Sequence, residues 1–416
     1  LGVNCIYLNP IFEAHSNHRY NTADYFKIDP VLGNEDDFIT LCKAAKKRGI
    51  HIILDGVFSH TGDDSIYFNK YRRYGNGGAY NDSSSPYYRW YKFGKTRDDY
   101  KSWWGIKTLP EVNEENEDYI NFICGKDGVI EHWTKLGADG WRLDVADELP
   151  DVFLDRLNKT LKAAKKNAYI LGEVWENATN KISYGARRRY LLGDQLDSVM
   201  NYPFADKIIE YVRSGDAATL CDTVVEICDQ YPKCAIDLLM NHLGTHDTAR
   251  ILTRLAKNDD NFGDRKAQSE MKLTADEMSL AKKRLQAAAV LQFTLPGIPA
   301  VFYGDEAGLS GGADPFCRGC YPWGNEDREL LSFYKALGKV RLSASAFKNG
   351  DFAGEKTDGG LFSFRRRAEK SEAFVAVNTE NGSKSILIPR GFKTVFGKKD
   401  EGETSLEPYE YLIAVK

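Results

Sequence analysis

Short apolar runs alternate with amphipathic stretches along most of the chain. The runs at 4–9, 50–57, 140–145, 168–174, 195–201, 237–243 and 299–303 each hold three to five apolar residues in a short stretch, the pattern of strands covered on both faces. Between them, residues 34–48, 116–136, 150–166, 203–213, 217–230 and 274–295 carry helical periodicity. The last of these opens on Thr274-Ala-Asp-Glu277, the sequence form of a capping box. Repeated strand–helix units predict a parallel sheet with helices on its faces, and seven such strands point to a (β/α)8 TIM barrel, with a doubly wound sheet as the alternative. Residues 1–9 read as the end of a helix–strand connection followed by a buried strand. The eighth strand, the first of the barrel, is therefore expected before Leu1.

Two regions depart from this alternation. Residues 61–108 are rich in Tyr, Asn, Asp, Gly and Ser and too long for a plain loop, which predicts a small inserted subdomain. After residue 341 the pattern becomes one of short strands separated by Gly, Asn and Lys turns, at 360–365, 373–378, 385–389, 393–396 and 410–415. The expected organisation is a catalytic barrel over 1–341 and a C-terminal antiparallel β-sandwich over 342–416, joined after a helix at 327–341.

Charge narrows the function classes. Fifty-six basic and 60 acidic side chains give a net charge of −4 without a basic block, which argues against a nucleic-acid or anionic-membrane partner. No apolar run approaches the roughly 18 residues of a membrane span. Eight cysteines in 416 residues make no disulfide framework, and this usage points to a reducing, cytoplasmic compartment. Cys5 and Cys42 lie in apolar patterns and are expected to be buried thiols. Cys317 and Cys320 form a CxxC pair with no second pair at zinc-site spacing.

In a parallel barrel, functional side chains gather at the C-terminal ends of the strands. That rule collects Asp55, His60, Arg142, Asp144, Glu173, His246 and Asp247. Asp144 and Glu173 come from neighbouring strands, about 4.8 Å apart, which suits the carboxyl separation of about 5–5.5 Å used in retaining glycoside hydrolysis. Arg142 precedes Asp144 by two residues, so both project to one side of the strand, and the guanidinium is expected to keep Asp144 ionised as a nucleophile. Glu173, as acid/base, is expected to be protonated at rest through burial and neighbouring carboxylates. His60, His246 and Asp247 suit hydrogen bonds to sugar hydroxyls, and Asp247 suits stabilisation of positive charge at the reacting carbon. Metal-assisted hydrolysis by the same His and Asp residues is the competing chemistry, but neither HxH nor HExxH spacing occurs.

These segments resemble, in order, the signatures of the α-amylase superfamily of glycoside hydrolases. DGVFSH (55–60), GWRLDVADE (140–148), GEVW (172–175) and NHLGTHDTAR (241–250) are similar to its four main motifs. LPEVN (109–113) resembles the motif closing the inserted subdomain, and GIPAVFYGDEAGL (297–309) the motif at the last strand. The resemblance implies a barrel, an insertion after its third strand and a C-terminal sandwich. It also implies Asp144 as nucleophile, Glu173 as acid/base and Asp247 as transition-state stabiliser, with Arg142, His60, His246 and a stacking Tyr20 around the sugar whose bond is cut.

NHRYNTADYFKIDP (17–30) and DPFCRGCYPW (314–323) are most similar to the neopullulanase, cyclomaltodextrinase and amylopullulanase group. The chain differs from that group's habit at Asn21, Glu111 and Asp147. By resemblance the substrate is an α-glucan such as a maltooligosaccharide, pullulan, cyclodextrin or starch, cleaved at α-1,4 and in part α-1,6 bonds. Transglycosylation would use the same covalent intermediate. An inactive glucan-binding homologue is the alternative from another class, and retention of all three carboxylates speaks against it. The family's calcium position holds Ser59, Asn113 and Glu148 in place of its usual ligands, so no metal is expected there and no cofactor is required. That leaves calcium only to the Asp/Asn-rich insertion. The sequence assigns no oligomeric state.

Overall fold

The apolar runs fold as parallel strands of two to six residues, each shorter than its apolar pattern. The computed structural model describes residues 1–398 and 402–416, and the chain divides into two units. The first holds 3–174 and 178–199; the second holds 1–2, 175–177 and 200–416.

In the first unit, strands Cys5–Tyr7, His51–Gly56, Gly140–Leu143, Tyr169–Gly172 and Ser198–Val199 form one parallel sheet in chain order. The order never reverses, whereas a doubly wound sheet must reverse at its switch point. Helix Glu35–Lys46 starts on a reciprocal capping box between Asn34 and Asp37. The helical pattern over 116–136 folds as two helices, Glu117–Cys124 and Val129–Leu136. The break falls at Gly125-Lys-Asp-Gly128, where Asp127 takes φ 59°. Strand Cys5–Tyr7 pairs only with His51–Gly56 among the described residues. Cys5 is therefore exposed, against the expectation of burial, while Cys42 is buried as expected.

The segment over 61–108 has little regular structure beyond the short 3-10 helices Tyr88–Trp90 and Trp103–Gly105. It is held by an aromatic cluster shared with helix Glu117–Cys124, with Trp90 packed on Tyr67, Tyr87, Tyr119 and Phe122 at 4.8–5.4 Å. Bridges His60↔Glu111, Tyr91↔Val112 and Ser102↔Pro110 fasten its far end beside the strand end at His60.

The second unit contains the parallel pair Met240–His242 and Ile298–Ala300, with Met200 bridged to Met240. Helix Ala275–Thr294 carries the capping box expected at Thr274 and Glu277. The strand predicted over 237–243 is shorter because Asp237 ends the helix Lys233–Ile236. Toward the C-terminus an antiparallel sheet runs Asp351–Asp358, Leu361–Ala368, Ser371–Asn378, Tyr411–Val415 and Lys393–Gly397, beside the pair Lys384–Leu387 and Glu403–Leu406. Leu361, Phe374 and Leu412 of the larger sheet and Ile386 and Leu406 of the smaller pair share one buried cluster. Among the described residues, no helix is long and apolar enough to cross a membrane.

Candidate active site

Parallel pairing of Leu143 with Gly172 brings the next residues, Asp144 and Glu173, out of the sheet side by side. Main-chain bonds continue past the strand ends: Asp144 N–H donates to Gly56 (3.1 Å), Glu173 N–H to Leu143 (3.0 Å) and Ala146 N–H to Glu173 (3.1 Å). Immediately after Asp144 the chain turns through Val145, whose backbone is left-handed at φ 40° and ψ 52°. This turn directs the Val145 N–H at Glu173 Oε2, 2.8 Å away.

At the centre lies Arg142, wholly buried. Its Nη1 is 2.8 Å from both Asp55 Oδ1 and Asp144 Oδ1, and its Nη2 is 2.8 Å from Glu173 Oε2. Asp55 Oδ2 also accepts from the hydroxyls of Tyr7 (2.5 Å) and Tyr20 (2.9 Å). Against desolvation, which favours the neutral form, Asp55 and Glu173 hold Arg142 charged. Burial pushes Asp144 well above the usual carboxylate range; Arg142 opposes this, and Glu173 and Asp55 add to it. The expectation that Arg142 keeps Asp144 ionised thus meets a larger opposing effect. One guanidinium cannot balance three buried carboxylates, so the cluster keeps a proton above the pH at which a free carboxyl would release it.

His60 is buried, with Nε2 3.0 Å from the Tyr20 carbonyl and Nδ1 2.9 Å from Ser59 Oγ. A carbonyl only accepts, so Nε2 bears the hydrogen and Nδ1 accepts from the Ser59 hydroxyl. Burial lowers the ring's pKa to about 4, leaving it neutral. The Ser59 hydroxyl is thereby engaged, and the Glu148 carboxylate accepts from the indoles of Trp103 (2.8 Å) and Trp104 (2.7 Å). With their oxygens so engaged, these two side chains do not fit the calcium position of the family.

Tyr20, His60, Arg142, Asp144 and Glu173 are brought together in the first unit. His246 and Asp247 form a pair in the second, with Nε2 of His246 3.0 Å from Asp247 Oδ2. Arg318 supports that pair: its Nε donates to the His246 carbonyl (3.1 Å), its Nη2 lies 3.6 Å from Asp247 Oδ1, and Asp314 holds it at 2.6 Å. The Cys317 thiol donates to the same carbonyl (3.2 Å), and both CxxC cysteines are free thiols. Sequence reasoning missed Tyr7 and Arg318. The signal for Tyr7 was a phenol near the end of an otherwise apolar strand.

Residues 1–328 match the family described as alpha amylase, catalytic domain, and the chain belongs to that family. An amylopullulanase of Thermoanaerobacter thermohydrosulfuricus is 39% identical over 88% of this chain, which spans 26% of that protein. Neopullulanase 2 of Thermoactinomyces vulgaris is 31% identical over 99% of this chain and 68% of its own length. Among solved structures, the Nostoc punctiforme debranching enzyme soaked with acarbose superposes with a TM-score of 0.83 at 29% identity, covering all of this chain and 86% of that one. The chain therefore spans about a quarter of the first of these relatives.

Proposed function

We propose that this chain is a retaining α-glucan hydrolase, cleaving α-1,4 bonds, and α-1,6 bonds in branched substrates, of maltooligosaccharides, pullulan, cyclodextrins or starch. The reading rests above all on Asp144 and Glu173 standing on adjacent strand ends around one guanidinium. Adjacent strands lie about 4.8 Å apart, close to the separation at which one carboxylate attacks carbon while the other carboxyl protonates the leaving oxygen. Glu173 delivers its proton as the glycosidic bond breaks, and Asp144 forms the covalent glycosyl intermediate. Glu173 then takes a proton from the incoming water, which releases the sugar with its original anomeric configuration. Asp247 stabilises the oxocarbenium-like transition state, and Tyr20, His60, Arg142 and His246 hold the reacting sugar. No cofactor takes part.

The same reading makes 1–341 a (β/α)8 barrel with its insertion at 61–108, followed by a β-sandwich over 342–416. The relatives' names favour these substrates, and TM-scores above 0.8 over the whole chain favour that architecture. Parallel digestion of pullulan, β-cyclodextrin and starch, with Asp144→Asn as the comparison, tests the function. Cleavage by the unaltered chain, lost in the variant, with the α-anomer first in proton NMR, is expected. Turnover retained by Asp144→Asn, or a β-anomer appearing first, overturns it.

A further inference from the structure

A cavity of about 470 Å3 opens between the two antiparallel sheets of the second unit. Its volume falls in the range of about 300–1,000 Å3 used by small-molecule sites. One wall comes from the five-stranded sheet and the other from the pair Lys384–Leu387 and Glu403–Leu406. The base is apolar, with Phe374 and Ile386 buried there, and Leu387 stands 67% exposed on the second wall. No aromatic ring presents an open face, so the lining suits an aliphatic or aromatic side chain better than a sugar.

A β-bulge shapes the first wall. Strand Asp351–Asp358 pairs Gly354 with Phe364 and next Lys356 with Ser363, which makes Glu355 an extra residue. Bulges re-aim side chains, and here Glu355 and Lys356 both line the cavity. Ser363 and Arg365 alternate onto the same face of their strand and line it as well. Ser363 is 1% exposed, and its hydroxyl has no hydrogen-bond partner among the described residues. A buried hydroxyl left unpaired is costly, and a bound acceptor would remove that cost.

The charges sort by wall. Arg365 is closed off by Glu355, Nε to Oε1 at 2.5 Å. That leaves Lys356 on the first wall, loosely held by Asp358 at 3.7 Å. On the second wall Glu403 lines the cavity and forms no ion pair among the described residues. An anion alone would meet Glu403 uncompensated, and a cation alone would meet Lys356. A molecule carrying both charges satisfies both walls.

We infer that this cavity binds an apolar α-amino acid. Its carboxylate accepts from the Ser363 hydroxyl and the Lys356 ammonium, its own ammonium donates to Glu403, and its side chain lies against Phe374, Ile386 and Leu387. The site stands apart from the carboxylate cluster and does not depend on the α-glucan reading. Because the ligand needs both walls in place, its binding stabilises the folded sheets.

Calorimetric titration of the full chain with L-phenylalanine, hydrocinnamate and phenethylamine tests this, since the last two keep the ring and one charge each. Saturable binding of L-phenylalanine is expected, about tenfold or more tighter than either analogue, for the loss of one charge-assisted contact. Ser363→Ala and Glu403→Gln should each weaken L-phenylalanine about tenfold. Glu403→Gln should leave hydrocinnamate no weaker, because that analogue has no ammonium. Glu403 is exposed, so its variant carries the test alone if circular dichroism shows Ser363→Ala misfolded. Absence of saturable binding, affinity that Glu403→Gln leaves unchanged, or equal affinity for all three ligands overturns the site.

Discussion

Replacing Arg142 by Met keeps a long unbranched side chain in the interior and removes one buried charge. The guanidinium contacts three carboxylates at 2.8 Å and is inaccessible to solvent, so little water can take its place. Breaking a buried pair by removing one partner costs about 3–5 kcal/mol, and here several acids lose their partner together. The loss must also depend on pH. Asp144 in the folded protein already sits above its free value near 3.8 because of burial, and without Arg142 it rises further. A raised folded-state pKa stabilises fully below the unfolded value and loses that contribution as pH climbs through the folded one. Urea unfolding followed by tryptophan fluorescence should therefore show Arg142→Met destabilised by about 3–5 kcal/mol at about pH 8 and by clearly less at about pH 5. Adding Asp55→Asn should restore part of the deficit by removing one surplus charge. The same deficit at both pH values, or one below about 1 kcal/mol, would refute the argument that Arg142 is the counter-charge of the cluster.

His60 and His242 are held neutral by burial, titrating at about 4 and about 3. The stability each contributes is complete above the unfolded value near 6.5 and is lost as pH falls toward those figures, and an imidazole resonance titrating near 6.5 for either would contradict this. A thiol reagent on the native protein should label exposed Cys5, Cys234 and Cys320 first and reach buried Cys42, Cys124 and Cys317 only on unfolding; fast labelling of Cys317 would contradict its bond to the His246 carbonyl. Arg366, buried in the second unit, donates to the carbonyls of Thr294 (2.6 Å) and Gly350 (2.8 Å). Arg366→Met should lower stability by about 2–4 kcal/mol through two orphaned acceptors, and an unchanged urea midpoint would count against it.

The carboxylate cluster was legible because it follows from two simple periodicities. Alternation along a strand puts Arg142 and Asp144 on one face, and parallel pairing sets Glu173 next to Asp144. Asp55 and His60 followed from the same strand-end rule. What stayed hidden depends on long-range closure. Trp103 and Trp104 meet Glu148 across more than forty residues, and no local pattern announces it. The hairpin Ile182–Ser183 and Ala186–Arg187 was missed because its turn uses Tyr-Gly rather than the Asn-Gly pair that marks such turns. The break at 125–128 was written in two glycines, outweighed by apolar spacing on either side. In the case of Asp144, chain spacing showed the cation but not how thoroughly burial would work against it.

The left-handed turn at Val145 fixes more than a change of direction. Because the amide after Asp144 is the one bonded to Glu173 Oε2, the spacing of the two carboxyls is measured out in main chain. Arg142 ties the same two carboxyls through its side chain, whereas this second tie, a ruler of main chain, can slacken only at residue 145. A β-branched residue is costly at this φ, so Val145→Gly would relieve strain while letting the ruler bend. The position thus trades folding ease against reach, and a variant that is more stable there should be the one whose carboxyls drift.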